Sequence, residues 1–336
     1  MSKSNLPRWL ALLVMLSLLA FAGRSLAQVT LLNVSYDVTR ELYKDINQAF
    51  ATHWKQSTGG SVDIRQSHAG SSAQVRAVIE GLEADVVTMN QALDIDMIAE
   101  KAGLVPKDWA TRLPNQGVPF TSTILFVVRK GNPKQIKDWD DLIKPGVAPI
   151  IPNPKTSGNG RYSYLAAWAF ASKRAGASEA SAGEYVKALF RAVPVLDTGG
   201  RGATVTFAQR GIGDVLLTFE NEARLIVAQP DAPFAIVVPS LSILAENPVA
   251  LVEKVAAKKG TAAVANAYLL FLYSAEAQAI GARHHFRPVD AAVLAKSGAQ
   301  FPSLKLITIA DLGGWPALQA KHFASGGLFD QLYSKN

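Results

Sequence analysis

The stretch Val29–Trp54, VTLLNVSYDVTRELYKDINQAFATHW, changes its hydrophobic period halfway along. Val29 to Val34 is a short apolar run of the kind that forms a buried strand. From Arg40 onward Leu42, Ile46, Ala49 and Phe50 recur at a spacing that places them on one face of a helix. Between the two lies the polar turn Ser35-Tyr36-Asp37-Val38-Thr39, with Asp37 or Thr39 placed to cap the helix. The form then repeats. Val62 to Arg65 reads as a second strand, Ala73 to Leu82 as a second helix with Val75, Val78, Ile79 and Leu82 on one side, and Asp85 to Thr88 as a third strand. Strands alternating with helices of this length imply a parallel sheet covered by helices, an α/β architecture.

Outward from that segment, Ser122 to Arg129 is a strongly apolar strand ended by the turn signal Gly131-Asn132-Pro133. A second α/β set runs through Val193 to Asp197 and Asp214 to Thr218, and strands resume at Phe234 to Pro239 and Val249 to Val255. A helix from about Thr261 to Tyr273 then carries Val264, Ala267, Tyr268 and Phe271. The chain has 336 residues, more than one hydrophobic core usually serves. No internal repeat, low-complexity tract or long linker divides it. Two lobes crossed more than once by the chain, with a cleft between two sheets, are therefore expected. The expected limits are residues 28–121 plus 246–336 for the first lobe and 122–245 for the second.

Composition narrows the chemistry. At 49% hydrophobic and 18% charged the chain is globular. It has no cysteine, which excludes disulfides, Cys-ligated zinc, iron–sulfur clusters and thiol nucleophiles. Residues 1–27 read as a secretory signal peptide: Lys3 and Arg8 are basic, Trp9 to Ala22 is apolar, and Ser25-Leu26-Ala27 offers a cleavage site after Ala27. The alternative, a membrane anchor, needs about 20 apolar residues, more than this run supplies. Cleavage discards Lys3, Arg8 and Arg24 from a formal net charge of +7, and export points to the periplasm.

One event recurs four times: a strand ends, small or hydroxylic residues turn, and a helix begins. The turns are Ser35 to Thr39; Gln66-Ser67-His68-Ala69-Gly70-Ser71-Ser72, with Ser71 as N-cap; Pro154-Lys155-Thr156-Ser157-Gly158-Asn159-Gly160; and Asp197-Thr198-Gly199-Gly200-Arg201-Gly202-Ala203-Thr204. Each helix start presents unpaired N–H groups at the positive end of a dipole, where anions bind. Glycine allows close approach and hydroxyls add donors. All four fall where strands of α/β folds end, the usual place for a ligand. No turn fits a Walker A pattern and no Gly-x-Gly-x-x-Gly opens the first unit, so nucleotide cofactors lack support. A small tetra-oxygen anion held between the lobes fits better.

The stretches Asn33–Tyr43 (NVSYDVTRELY), Gln66–Ser72 (QSHAGSS), Pro152–Asn159 (PNPKTSGN), Ala166–Trp168 (AAW) and Gly211–Val215 (GIGDV) resemble the periplasmic sulfate/thiosulfate-binding proteins of ABC importers. The resemblance runs from about Leu31 to Phe329. It implies a hinged, two-lobed periplasmic-binding-protein fold of type II that closes on its ligand and is read by a membrane permease. Position by position it implies ligand contacts at Asp37 and Ser71 in the first lobe, and at Ser157, Gly158, Asn159, Gly200 and Phe219 in the second. Sulfate-selective members have Gly in place of Asn159 and Trp in place of Phe219. The thiosulfate type is closer, sharing the Asn after Thr-Ser-Gly, Ala69 to Ser72, Asn90-Gln91 and a Phe before Glu220. Thiosulfate carries a soft sulfur that accepts hydrogen bonds poorly, so an indole donor aimed there would go unsatisfied. A phenyl ring offers a polarizable contact instead. A site of donors alone would reject hydrogen phosphate, whose proton finds no acceptor, unless the Asp37 carboxylate takes it.

Other classes are weaker. Another tetrahedral oxyanion is the alternative ligand. A secreted hydrolase would need Ser67, His68 or Ser71 as nucleophile and base, but neighbours on a strand point to opposite faces and no Gly-x-Ser-x-Gly elbow exists. The five histidines (His53, His68, His284, His285 and His322) show no metal-ligand spacing, and His284-His285 beside Arg283 and Arg287 reads as a solvated basic surface. Basic residues are scattered, without the clustering of a nucleic-acid face. Arg201 either reaches the anion or supports the turn from behind by pairing with Asp197 or Glu220; the resemblance credits the backbone N–H of Gly200. The expectation is a monomeric binding protein without catalysis, cofactor, metal or nucleic-acid partner.

Overall fold

The computed structural model describes residues 28–333; the signal-peptide reading of residues 1–27 lies outside them. Strand β1 (Val29–Tyr36) runs through a turn of three residues, Asp37–Thr39, into helix α1 (Arg40–Thr58).

 The connection is a single 3-10 turn, so the chain passes from strand to helix within three residues. Strand β2 (Val62–Ala69) leads into α2 (Ser71–Ile79), and β3 (Val86–Thr88) leads into α3 (Ala92–Ala102). β1 is central and parallel to both neighbours, with Tyr36 opposite Ala69 and Ser35 opposite Thr88. That register brings the three strand ends, and the turns that follow them, to one edge of the sheet. Adjacent strand residues point to opposite faces. Leu31 and Val86 enter a core with Leu42, Ile46, Phe50 and Tyr268, while Val34 and Val87 enter one with Val75, Val78, Ile95 and Ile98. The sheet is thus buried on both faces, as a parallel sheet requires.

The apolar run expected as one strand over Ser122–Arg129 is two. β4 (Phe120–Ser122) ends and β5 (Ile124–Arg129) begins around Thr123, whose Oγ1 donates to Ser242 Oγ at 2.8 Å. The break lies where the chain passes between lobes. The second lobe contains β6 (Pro149–Ile150), α4 (Gly158–Ser172), α5 (Glu179–Arg191), α6 (Gly200–Thr204), β7 (Val215–Phe219), α7 (Glu220–Val227) and β8 (Phe234–Val237). Its sheet, in the order β6-β7-β5-β8, is mixed: β5 is antiparallel to both β7 and β8, and only the β6–β7 pair is parallel. The alternating pattern seen in the sequence did not carry this reversal of direction. Val193 to Asp197 is not a strand but an irregular segment, tied by the Asn153 N–H donating to the Asp197 carbonyl at 2.8 Å.

The return path begins with β9 (Leu241–Ile243), β10 (Ala245–Asn247) and β11 (Val249–Leu251). β11 joins the first sheet antiparallel to β3, giving the order β11-β3-β1-β2. The expected strand to Val255 stops at Leu251, and α8 (Glu253–Lys259) follows. α9 (Ala262–Phe271), α10 (Ala275–Arg283) and β12 (Arg287–Pro288) complete the first-lobe side. β10 and β12 flank β4 in a small sheet at the crossing.

The C-terminal segment departs from the expected limits. β13 (Lys305–Ile307) pairs with β9, and beyond it Trp315, Leu318, Phe323 and Phe329 join a core with Tyr164, Trp168 and Phe190 of α4 and α5. Lys155 Nζ donates to the carbonyls of Phe323 and Ala324 at 3.0 and 3.1 Å and pairs with Asp330 at 2.8 Å. Residues from about 305 onward therefore pack on the second lobe. Their apolar residues were legible, but their partners, more than a hundred residues away, were not. Among the described residues no helix is long and apolar enough to cross a membrane.

Candidate functional site

The starts of α1 and α2 converge because β1 and β2 end together, and the starts of α4 and α6 in the second lobe meet them across the cleft. Asp37 does not cap α1. Its Oδ2 accepts from the backbone N–H of Arg201 at 2.9 Å, in the first turn of α6 in the other lobe. Thr39 does not cap α1 either: its Oγ1 donates to the Tyr36 carbonyl and lies 2.7 Å from Ser35 Oγ. Burial pushes the Asp37 carboxyl up from its ordinary range, while the Arg201 N–H and guanidinium pull it back. Gly199 rests on this carboxylate so closely that a Cβ there would collide with it.

Ser71 is the first residue of α2, and Gly70, not Ser71, occupies the N-cap position. The Ser71 hydroxyl instead accepts from the Gly158 N–H at 3.1 Å, lobe to lobe. Beside it the Ser72 N–H donates to the Thr156 carbonyl at 3.3 Å. Gly70 faces the Thr198 carbonyl, which a Cβ would approach to 2.7 Å. Each first-lobe turn therefore touches a second-lobe turn, and the lobes are closed on one another.

In the second lobe Ser157 caps α4, its Oγ accepting from the Gly160 N–H at 3.4 Å. Asn159 uses both ends of its amide inside the lobe. Nδ2 donates to Thr218 Oγ1 at 3.0 Å and Oδ1 accepts from Ser163 Oγ at 3.2 Å. What Asn159 leaves for a ligand is its backbone N–H. Like those of Ser71 and Gly200, it forms no hydrogen bond among the described residues. Phe219, the last residue of β7, is fully buried with its ring edge-to-face against Tyr36 of the first lobe and Tyr162 of the second, at centroid distances of 6.1 and 5.9 Å. It sits at the lobe junction.

Arg201 pairs with neither residue expected. Its guanidinium grips Glu41 across the cleft at 3.1 and 2.9 Å, and its Nε lies 3.1 Å from Glu222 Oε1. Burial lifts the Glu222 carboxyl to about 7 against the pull of Arg201. Asp197 is held by Thr206 at 3.1 Å, and Glu220 by Arg287 at 2.6 Å. Arg287 is thus mostly buried in an ion pair, and His284 lies 2.8 Å from Asp45, so that corner is not the solvated basic surface expected. The fourth turn also follows the irregular segment rather than a strand end.

Sequence reasoning missed a polar cluster beside the cleft. Asp94 on α3 and Arg161 on α4 face each other across the lobes at 3.7 Å, both nearly inaccessible. Burial raises the Asp94 carboxyl to about 6, opposed by Arg161, and Gln91 Nε2 donates to its Oδ1 at 2.7 Å. The available signal was a strand followed by Met89-Asn90-Gln91 and a helix, the same form as the four turns. The nitrogens of His68 are engaged by the Tyr36 carbonyl and Gln66 at 2.9 and 2.6 Å. Among the described residues no group of three or more His, Asp or Glu could hold a metal ion.

A family model described as bacterial extracellular solute-binding protein matches residues 31–287. A thiosulfate-binding protein of Pseudomonas aeruginosa is 54% identical over 320 residues, covering 95% of this chain and 96% of the relative. A sulfate-binding protein of Escherichia coli is 55% identical over 317 residues, covering 94% and 96%. Among solved structures, a sulfate-binding protein from Mycobacterium tuberculosis superposes with a TM-score of 0.79 at 37% identity, covering 87% of this chain and 99% of that one.

Proposed function

The chain belongs to the bacterial extracellular solute-binding proteins, and from that premise we propose that it captures thiosulfate and sulfate in the inter-lobe cleft and delivers them to the permease of an ABC importer for sulfur uptake. The observation that carries the reading is the pairing pattern of the cleft. The backbone N–H groups of Ser71, Asn159 and Gly200 are unpaired among the described residues, whereas the guanidinium of Arg201 is taken up by Glu41 and Glu222. An anion here is met by helix dipoles and N–H donors, not by a free cation.

Asp37, Ser71, Ser157, Gly158, Asn159, Gly200 and Phe219 form the proposed contact set. In it Asp37 Oδ2 is occupied by the Arg201 N–H. The Ser71 hydroxyl, now accepting from Gly158, can turn its proton to the ligand. Arg201 supports α6 without touching the anion. The protein acts in the periplasm as a monomer and performs no chemistry; ATP hydrolysis belongs to the importer. The near-equal identities to a thiosulfate- and a sulfate-binding relative leave the preference to individual residues, of which Phe219 favours thiosulfate.

Titration calorimetry with thiosulfate, sulfate and phosphate tests the reading. Thiosulfate and sulfate should bind at least about 100-fold more tightly than phosphate, whose extra proton would leave an unmatched donor in the site. Phosphate binding as tight as the other two would overturn it.

A further inference from the structure

β3 ends in a fifth strand-to-helix turn, Met89-Asn90-Gln91, which opens the eleven-residue α3. Asn90 is 3% exposed. Its Oδ1 has no partner, and its Nδ2 takes part in no hydrogen bond among the described residues. A buried amide in that state is uncommon, because its desolvation goes uncompensated. Its position suggests why it is kept. The carboxamide lies across the cleft against Gly158, in the space that a side chain at position 158 would need, with Oδ1 nearest. Gly158 in turn donates to Ser71 Oγ. The unpaired amide therefore sits against one residue of the proposed contact set, Gly158, which is itself bonded to another, Ser71, in the opposite lobe.

We propose that Asn90 is a further specificity-determining residue of the anion site: Nδ2 donates to the bound oxyanion, and the amide, seated on Gly158, fixes how closely the lobes approach and so the size of anion accepted. This rests on the oxyanion reading above. The amide oxygen, turned to the Gly158 Cα, stays away from the ligand, which keeps the ligand's surroundings rich in donors. A carboxylate of the same shape would offer only acceptors to a dianion. An alanine would remove the donor and leave room for a larger tetrahedral anion. The alanine breaks no existing hydrogen bond and should leave the lobe folded, whereas the aspartate buries a carboxylate without a partner and should lower the melting temperature of the free protein.

The test is calorimetry at pH 8 with thiosulfate, sulfate and molybdate on the wild-type protein, Asn90→Ala and Asn90→Asp, with thermal melts of the ligand-free proteins. Asn90→Ala should weaken thiosulfate and sulfate at least about tenfold, the worth of a hydrogen bond to a charged group. Molybdate should lose less, moving the sulfate-to-molybdate ratio at least about fivefold, with an unchanged or higher melting temperature. Asn90→Asp should weaken both sulfur oxyanions further. Thiosulfate and sulfate affinities within about twofold of wild type in Asn90→Ala would overturn the contact, and an unmoved ratio would overturn the size-setting role. Wild-type protein that binds neither sulfur oxyanion would instead overturn the parent reading.

Discussion

In the proposed contact set, Phe219 is the residue expected to decide ligand preference. It closes β7, occupies the N-cap position of α7 and packs between Tyr36 and Tyr162, so its ring is held from both lobes. An aromatic ring without a polar atom suits a sulfur corner and gives nothing to an oxygen corner. Phe219→Trp adds an indole N–H in the same place. The preference should move toward sulfate by about tenfold, read as the ratio of the two dissociation constants, because only the oxygen corner can accept the new bond. The larger ring enters a full core and should cost about 1–3 kcal/mol of stability, so the ratio and not the absolute affinity is the decisive reading. An unchanged ratio would place the discrimination elsewhere in the cleft.

At the scale of elements, the helix starts work as pairs. α6 begins on the carboxylate of Asp37, and α4 begins on the hydroxyl of Ser71, so each second-lobe helix is met by a first-lobe side chain when the lobes touch. Gly199 makes the first of these contacts possible, since a methyl there strikes Asp37. Gly199→Ala should leave the melting temperature of the free protein nearly unchanged while lowering thiosulfate affinity at least about 100-fold, because it obstructs closure and not folding. Equal affinity, or a large fall in stability, would contradict that. These elements were legible to different degrees. β1, α1, β2 and β3 followed from apolar period and polar turns, and the four turns were found because glycine and hydroxyl residues mark helix starts locally. The strand directions in the second lobe, the docking of residues 305–333 and the Glu41–Arg201–Glu222 network depend on partners distant in sequence. No local period records them. Asn90 is not legible in the sequence as a site residue, because its turn contains no glycine and its meaning lies in the absence of a partner.

At the scale of the whole molecule, buried titratable groups set how stability varies with pH, and they oppose one another. Burial raises Asp94 to about 6 and Glu222 to about 7. The stability tied to these raised carboxyls is present below their unfolded range and is lost as pH rises through about 6 and 7. His322 runs the other way. It joins the C-terminal segment to α4, with Nδ1 2.9 Å from Tyr164 Oη and its ring against Trp168, and burial lowers it to about 4. Its neutral form belongs to the folded state, so its contribution is full above about 6.5 and disappears as pH falls toward 4. The wild-type melting curve alone mixes the two trends, but a comparison with His322→Gln isolates one. At pH 8 the variant should be less stable, having lost the ring packing. By pH 4.5 the gap should narrow by at most about 2–3 kcal/mol, because the wild type alone must discharge a buried imidazole. Thermal or urea unfolding of both proteins at the two pH values measures this, and a gap that stays constant would show that His322 is not held neutral by the fold.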